Sequence, residues 1–390
     1  MEDVFIIKMK KLLTLLMLGM FMISLVYALN YNKEIIINSE EDILNNCKDL
    51  DISWVYFGNK DNSYTKEGVK YFELKSNKLQ SFMFLGRSIL LAKFFTKNYF
   101  EVINPLGGIW TFLYKKKKDQ KIIHTFHGTA YYFNKNHFKR FNLLQKILFS
   151  PLLLISWLGE KPHKKADKII CVSEKVKRQV QKLYRKKKDI KVIRTGVDLK
   201  NFKVRNKNKI KEKLNLDLDK TYGLYVGGGS YWTKGLDRAI KLAGEINKVN
   251  KKFKLIIIGP DEKKVKHLIN KKFVIFLKNI PREKIPYYYN ASDVFFCMSR
   301  YEGGAPTLVT SEAMASGCLI VCSKDSEQEI IENETNGLII NEFGKKDAKK
   351  VLEILKDKKK KEKIIKNSIK TVKEISLEKW GKKTREVLLG

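Results

Sequence analysis

Short apolar runs alternate with helix-like stretches through the second half of the sequence, and no other feature limits the possible folds as strongly. Apolar runs without internal alternation are typical of strands buried on both faces of a parallel sheet, and the stretches between them suit crossover helices. The second half is therefore predicted to be an α/β domain. Its predicted strands are 223–227, 254–259, 274–278, 294–298, 318–322 and 337–340. Its predicted helices are 236–249, 262–270, 283–290, 306–316 and 327–332.

The first half shows the same type of pattern less regularly, and a polar, lysine-rich stretch at 196–220 separates the two halves. Its predicted strands are 34–37, 52–57, 69–74, 100–104, 121–126, 168–172 and 191–194. The sequence thus predicts an α/β fold of two Rossmann-like domains that face each other across a cleft, with ligands at the carboxyl ends of the strands. The expected divisions are an apolar segment at 1–30, domains at 31–198 and 199–376, and a terminal helix at 377–390 that can cross back to the first domain.

The apolar run at 12–28 is open to three interpretations. Three lysines precede it, and it ends in Val26-Tyr27-Ala28, which resembles a signal-peptidase site. The run is a cleaved signal, a membrane anchor near the lower limit of spanning length, or a buried helix. The lysine-rich remainder disfavours secretion, so we expect a cytoplasmic, membrane-associated protein.

The net charge is +36 over 390 residues, and lysine supplies most of it. Solvated helix faces, attraction to an anionic membrane surface and nucleic-acid binding would each account for it. Nucleic acid is the least favoured partner, since the sequence has no zinc-finger spacing, no basic region with heptads and no RNA-recognition strand motif. A very apolar helical stretch at 138–158 is either core, which we favour, or a membrane-facing patch on the basic surface.

The five cysteines have no metal-like spacing, and Cys297 and Cys318 lie in or beside apolar runs. Buried, reduced thiols are therefore expected. The five histidines form no metal-binding cluster in the sequence, and neither a metal nor another cofactor is predicted.

Residues 302–317 form the first candidate site element. They follow a predicted strand and open a helix that Pro306 would begin and Gly317 would end. Unpaired N–H groups at a helix start favour phosphate, glycines let a ligand approach the backbone, and carboxylates accept hydrogen bonds from sugar hydroxyls. With Glu302 and Glu312 as the carboxylates, the segment predicts a site for a nucleotide-sugar.

A glycine-rich loop after the predicted strand 223–227 forms the second element. Gly228 and Gly229 lie in the loop, and Lys234 directly precedes the next helix. Backbone N–H groups of such a loop can hold phosphates, to which a lysine adds a point charge. The spacing is not that of a P-loop. Tight strand-to-helix turns also use glycine, but two such elements in one half favour a functional role.

His127 is the third candidate, because it ends the apolar strand 121–126 and the cleft arrangement would direct it toward the other domain. A lone histidine is more often structural, and His124, deeper in the same strand, is expected to be so.

Several segments in this order resemble the GT-B glycosyltransferases of the retaining family 4, also called glycosyl transferases group 1. The resemblance covers residues 100–340 and is strongest from 223 onward. The matching segments are His127-Gly128, 166–174, 195–198, Lys234-Gly235 and 312–317.

The resemblance implies that Lys234 stabilises the donor diphosphate, that Glu312 binds the nucleotide ribose and that His127 lines the reaction centre. It also implies a metal-independent reaction in which stabilisation of the leaving group, rather than a covalent nucleophile, dominates catalysis. The family places its first glutamate eight positions before the second, where this chain has Gly304. Either Glu302 supplies that carboxylate from a loop two residues longer, or the carboxylate is lost.

The predicted function is transfer of a hexose-type sugar, with retention, from a nucleotide-sugar to a lipid-linked or polysaccharide acceptor. The alternatives are another GT-B enzyme, such as a sugar-nucleotide epimerase, and a non-catalytic basic protein that binds membrane or nucleic acid. The predicted catalytic residues are His127 and Glu302. The predicted donor-binding residues are Gly228, Gly229, Lys234, Glu302, Gly303, Gly304, Ala305, Pro306, Thr307, Leu308 and Glu312.

Overall fold

The structure is a computed structural model, and it describes residues 51, 53–66, 68–77, 84–104, 113–160, 166–184, 189–228 and 230–390. The apolar segment at 1–30, the predicted strand 34–37 and Gly229 lie outside these residues. The chain divides into two compact units. The first ends at Ile193 and also includes Gly381–Gly390, and the second is Arg194–Trp380.

The first unit contains two sheets. In the three-stranded sheet, β3 lies between β1, to which it is parallel, and β2, to which it is antiparallel. The other sheet is parallel throughout, in the order β4-β5-β6-β7. The strands are β1 (Ser53–Gly58), β2 (Asn62–Lys66), β3 (Val69–Lys75), β4 (Val102–Ile103), β5 (Lys121–Phe126), β6 (Lys168–Cys171) and β7 (Ile190–Val192). The helices are α1 (Phe84–Lys97), α2 (Ala130–Phe138), α3 (Leu143–Glu160) and α4 (Glu174–Tyr184).

Burial follows the sequence pattern of this unit. The apolar strand β5 is buried along most of its length. Helix α4 buries Val176, Val180 and Tyr184 at helical spacing, whereas Lys182 is exposed. These parallel strands and amphipathic helices are the α/β arrangement predicted for the first half.

The second unit is a parallel, six-stranded sheet with helices on both faces. Its strands are β8 (Thr221–Val226), β9 (Phe253–Ile258), β10 (Val274–Leu277), β11 (Val294–Cys297), β12 (Leu319–Ser323) and β13 (Leu338–Ile340). Its helices are α5 (Lys207–Lys213), α6 (Tyr231–Lys234), α7 (Leu236–Val249), α8 (Glu262–Ile269), α9 (Ile285–Ala291), α10 (Leu308–Ala315), α11 (Lys345–Lys356) and α12 (Lys358–Lys373). A final helix, α13 (Leu377–Leu389), has its residues divided between the two units.

The strand order of this sheet is β10-β9-β8-β11-β12-β13, so the chain starts in the middle, runs outward, returns and runs outward on the other side. This is the Rossmann order, and its switch point lies between β8 and β11. One face of the sheet packs on α7 and α11, and the opposite face on α9 and α10. Every predicted strand of the second half forms within two residues of its expected limits.

Two helix predictions need correction. The helix predicted from Pro306 begins at Leu308, because Thr307 is its N-cap and accepts a hydrogen bond from the backbone N–H of Thr310. Gly317 does end this helix, with a φ of 81°. The helix predicted at 327–332 does not form, because the short 3-10 turn before it ends at Glu327 in a left-handed conformation with φ 53°.

The interpretation of 138–158 as core was wrong. The stretch forms the end of α2 and most of α3, and α3 exposes Leu143, Leu144 and Ile147 to solvent by 76%, 67% and 63%. No helix in the described part of the chain is both long and apolar enough to cross a membrane.

The prediction of buried, reduced cysteines is confirmed for Cys171, Cys297, Cys318 and Cys322, which are buried and free of disulfides. Cys47 lies outside the described residues. Burial raises the pKa of Cys171 and of Cys318 to about 12, so both thiols stay protonated at neutral pH.

Candidate functional site

The candidate site is built from two loops at the switch point of the second sheet. One loop follows β8 and the other follows β11, and these two strands are hydrogen-bonded neighbours. Since both strands run in the same direction, both loops leave the sheet at its carboxyl edge, where open α/β sheets bind ligands. The two predicted site elements of this half are therefore neighbours in space.

The loop after β8 is held close to the loop after β11. Gly235 has a φ of 72°, and a Cβ atom at this position would lie 1.9 Å from the carbonyl oxygen of Met298. Only glycine satisfies both conditions, because other residues are strained at positive φ and carry that Cβ atom. Ser230 begins α6 by accepting a hydrogen bond from the backbone N–H of Thr233, which fixes the short helix that presents Lys234.

Lys234 and Glu302 form an ion pair across the two loops. The ammonium Nζ donates to Oε1 of Glu302 at 2.9 Å and to Oε2 at 3.2 Å. The lysine side chain is 40% exposed and the carboxylate 12% exposed. Burial alone would lower the pKa of Lys234, but the negative charge of Glu302 and its hydrogen bond more than offset this and raise that pKa. The lysine is therefore a permanent cation at neutral pH, with one side open to solvent.

The loop after β11 turns on two glycines. Gly303 and Gly304 have φ values of 65° and 83°, and the carbonyl oxygen of Gly304 accepts a hydrogen bond from the backbone N–H of Glu329. Ala305 and Pro306 then lead to Thr307, whose backbone N–H donates to Oε1 of Gln328 at 3.3 Å. The predicted donor-binding run thus lies on a single loop that ends at the N-terminus of α10.

Glu312 lies within α10, and its carboxylate is only 2% exposed. Arg282 donates to both of its oxygens, and the hydroxyl of Tyr289 donates to Oε2 at 3.0 Å. The negative charge of Glu312 raises the pKa of Arg282 against the effect of its desolvation, and burial raises the pKa of Tyr289 well above its usual range. The sequence predicted Glu312 but gave no sign of Arg282 or Tyr289, which come from a separate helical segment.

Arg300 joins the two loops, and sequence reasoning missed it. Its guanidinium makes two hydrogen bonds to the carboxylate of Asp237, at 2.9 and 2.6 Å, and another to the carbonyl oxygen of Trp232. Its own backbone N–H donates to the carbonyl oxygen of Thr233 at 2.9 Å. Its position two residues before Glu302 could have indicated a role in the site. An arginine beside a binding loop can pair with a carboxylate of a neighbouring segment.

His127 belongs to the first unit and directly follows β5, as predicted. Its side chain is exposed, and partial desolvation by the surrounding protein lowers its pKa, which favours the neutral imidazole at pH 7. His124 is 1% exposed and stacks on Phe126, with ring centroids 4.3 Å apart, so its predicted structural role is confirmed.

The geometry of the second unit suits an anionic ligand that also carries hydroxyl groups. A partly exposed lysine, a glycine turn that admits the ligand to the backbone and a carboxylate within 2.9 Å of the lysine lie together at one sheet edge. Among the residues that the structure describes, no three His, Cys, Asp or Glu side chains are grouped so that they could hold a metal ion, and metal independence stays a prediction.

Comparison with known proteins gives the family. The model of Glycosyl transferases group 1 matches residues 206–371, which include the Lys234 and Glu302 loops, and the model of Glycosyltransferase Family 4 matches residues 52–201. The chain belongs to this glycosyltransferase family. Its two α/β units have the GT-B fold that the sequence predicted.

The relatives agree with this placement. An uncharacterized glycosyltransferase of Methanocaldococcus jannaschii is 28% identical over 253 residues, which span 63% of this chain and 61% of that protein. The sucrose-phosphate synthase of Thermosynechococcus elongatus has the same fold, with a TM-score of 0.72 at 17% identity over 91% of this chain and 92% of that one. WaaG, a glycosyltransferase involved in lipopolysaccharide biosynthesis, has a TM-score of 0.71 at 14% identity over 90% and 95%.

Proposed function

We propose that the protein transfers a hexose-type sugar from a nucleotide-sugar donor to a lipid-linked or polysaccharide acceptor, with retention of the anomeric configuration and without a metal ion. The observation that carries the proposal is the Lys234–Glu302 pair at the switch point, where a partly exposed cation lies beside a glycine turn. Membership of the glycosyltransferase family supports the reaction class.

Donor binding would exchange one anion for another at Lys234. A diphosphate can approach the exposed side of the ammonium and replace the carboxylate of Glu302, which then becomes available to sugar hydroxyls as an acceptor. The glycines at 303 and 304 leave room for the sugar, and the N-terminus of α10 adds a favourable electrostatic field for phosphate. Lys234 and this helix would stabilise the negative charge that develops on the leaving diphosphate.

Glu312 would bind the ribose through the lone pair that its present partners leave free. A carboxylate offers about four acceptor positions. Oε2 accepts from both Arg282 and Tyr289, whereas Oε1 accepts from Arg282. A ribose hydroxyl can therefore donate to Oε1 without displacing Arg282. His127 is proposed to line the reaction centre from the first unit.

The location proposed for this reaction is the cytoplasm. The four described cysteines are buried and free of disulfides, which supports a reducing compartment.

A donor screen tests the proposal. The full-length protein is incubated with UDP-, GDP- and ADP-sugars with and without a lipid-linked or polysaccharide acceptor, in the presence of a chelator, and nucleotide release is measured. We expect one nucleotide class to bind and to release free nucleoside diphosphate, and NMR of the product should show the anomeric configuration of the donor. Absence of nucleotide binding to the wild type would refute the proposal, and an epimerised donor without release would indicate the epimerase alternative.

A further inference from the structure

Helix α3 carries an exposed apolar surface in the first unit, which we call the α3 stripe. Its members are large aliphatic side chains that are each at least 45% exposed. They are Leu143, Leu144, Ile147, Leu154, Ile155 and Leu158. Single exposed aliphatic residues are ordinary, but contiguous exposed apolar patches are rare on soluble proteins and mark interaction sites.

The stripe is one continuous face of the helix. At 100° per residue, its six members fall within an arc of about 120°, and Pro151, which is also exposed, lies inside that arc. From the first member to the last, the stripe is about 22 Å long at 1.5 Å per residue. Its dimensions are those of a surface that meets a flat apolar partner along several helical turns.

The opposite face of α3 is already occupied by protein. Ser156 accepts a hydrogen bond from the side chain of Asn134 in α2 at 2.7 Å, and the ring of Phe149 packs on that of Phe141 with centroids 5.1 Å apart. The helix is thus apolar on both faces, and among the residues that the structure describes none covers the α3 stripe. Because the inner face stays on the protein, the helix can lie on a partner's surface without leaving its own unit.

The charges around the stripe select the partner. No aspartate or glutamate occurs between Asp119 and Glu160. The basic residues of this segment are Lys121, Lys135, Lys139, Arg140 and Lys146. Lys139 and Arg140, which we call the basic border, are exposed and lie shortly before the start of α3 at Leu143. A symmetric contact with a second copy would bring these like charges together. A surface with anionic headgroups and an apolar interior can contact the basic border through its charge and the α3 stripe through its interior.

We propose that the α3 stripe docks on an anionic lipid bilayer, with α3 parallel to the membrane plane, its aliphatic side chains in the acyl boundary and its basic border on the headgroups. This interaction surface is independent of the proposed transferase activity, because it involves none of the residues of the Lys234 and Glu302 loops.

Vesicle binding tests the proposal without any sugar donor. The full-length protein is sedimented with vesicles of phosphatidylcholine alone and with vesicles that contain phosphatidylglycerol at one part in four (the composition is our choice of probe). The stripe variant is L144S/I147S/L154S, and the border variant is K139Q/R140Q. The matched control is V249S, because Val249 is an equally exposed aliphatic residue, at 70%, in α7 of the second unit. Circular dichroism and thermal unfolding check that each variant is folded.

We expect the wild type to bind the anionic vesicles and the stripe variant to bind them at least about tenfold more weakly, since each buried CH₂ group adds to the affinity. The border variant should lose about fivefold per charge removed, and only on anionic vesicles. The control should bind like the wild type. If the folded stripe variant binds like the wild type, or if the stripe substitutions instead abolish a concentration-dependent dimer, the proposal is overturned.

Discussion

Two ion pairs of the second unit, Lys234–Glu302 and Arg282–Glu312, each join a basic residue to a glutamate, but they differ in the way the glutamate is held. The cations are equally exposed, at 40% for Lys234 and 41% for Arg282, but Glu302 is 12% exposed and Glu312 only 2%. Glu302 lies on a glycine turn, whereas Glu312 lies in the middle of α10 and has Tyr289 as a further donor. Lys234–Glu302 is thus the more accessible pair, which we call the open pair, and Arg282–Glu312 is the more buried one, which we call the closed pair.

The largest effect is expected from removing the cation of the open pair. Lys234→Ala should lower kcat/KM for the nucleotide-sugar by about 10²–10³-fold, because the developing phosphate charge loses its nearest cation. The free energy of unfolding should change by at most about 1 kcal/mol, since the lost pair is partly exposed. Initial rates of nucleotide release and urea denaturation measure the two quantities. Lys248→Ala, at an exposed site on α7, is the control, and unchanged activity of the Lys234 variant would contradict the phosphate role.

Removing the glutamate of the closed pair should lower stability more than removing the cation of the open pair. Glu312→Ala leaves Arg282 and the hydroxyl of Tyr289 without their carboxylate, and it should lower the free energy of unfolding by about 2 kcal/mol in urea. This is less than the roughly 3–5 kcal/mol of a fully buried pair, because the guanidinium reaches solvent. Tyr289→Phe, which removes only the hydroxyl, should cost about 1 kcal/mol. Exposed ion pairs contribute about 0.5 kcal/mol to stability. A smaller loss than this for Glu312→Ala would mean that the closed pair is as accessible to solvent as the open pair.

The smallest effect concerns the competition that we infer at Lys234. Glu302→Gln removes the anion that occupies the lysine, so UDP, GDP or ADP without a sugar should bind about two- to fivefold more tightly by titration calorimetry. The rate with the intact nucleotide-sugar should fall, because a neutral amide is a weaker acceptor for sugar hydroxyls. Glu334→Gln, in a surface pair with Lys360, should leave both quantities unchanged. Weaker binding of the free diphosphate would show that Glu302 does not compete with it.

The periodicity of apolar residues predicted the helices and strands whose limits depend on neighbouring residues alone. β5 and α7 have the predicted limits at both ends, because an apolar run and an amphipathic repeat each depend only on neighbouring residues. The start of α10 was missed by two residues, since the cap of Thr307 takes precedence over the preference of proline for a first turn. The pattern of α3 identified a helix but not its exposed face, because both of its faces are apolar.

Candidate site residues could be chosen from the sequence where a loop carries its own signal of glycine, lysine or glutamate. Lys234 and Glu302 were both found this way, but their pairing was not, since 68 residues separate them. Arg282 was missed because nothing in its local sequence indicates that Glu312 is its partner. The position of Arg300 beside the Glu302 loop was a signal, but it does not show that Asp237 is the partner. These pairings depend on strand order, which places distant segments at one edge of the sheet.

The strand order also has a consequence for biosynthesis. β8 lies between β9, which follows it closely in the chain, and β11, which is made only after β9 and β10. At about 5–20 residues per second, a ribosome needs about 3–14 s to add the 68 residues that separate Lys234 from Glu302. During this interval the three earlier strands can pair with one another, but one edge of β8 has no partner. The loops of Lys234 and Glu302 therefore cannot meet until β11 has been made, and until then the edge of β8 is the surface that a nascent-chain chaperone would have to protect.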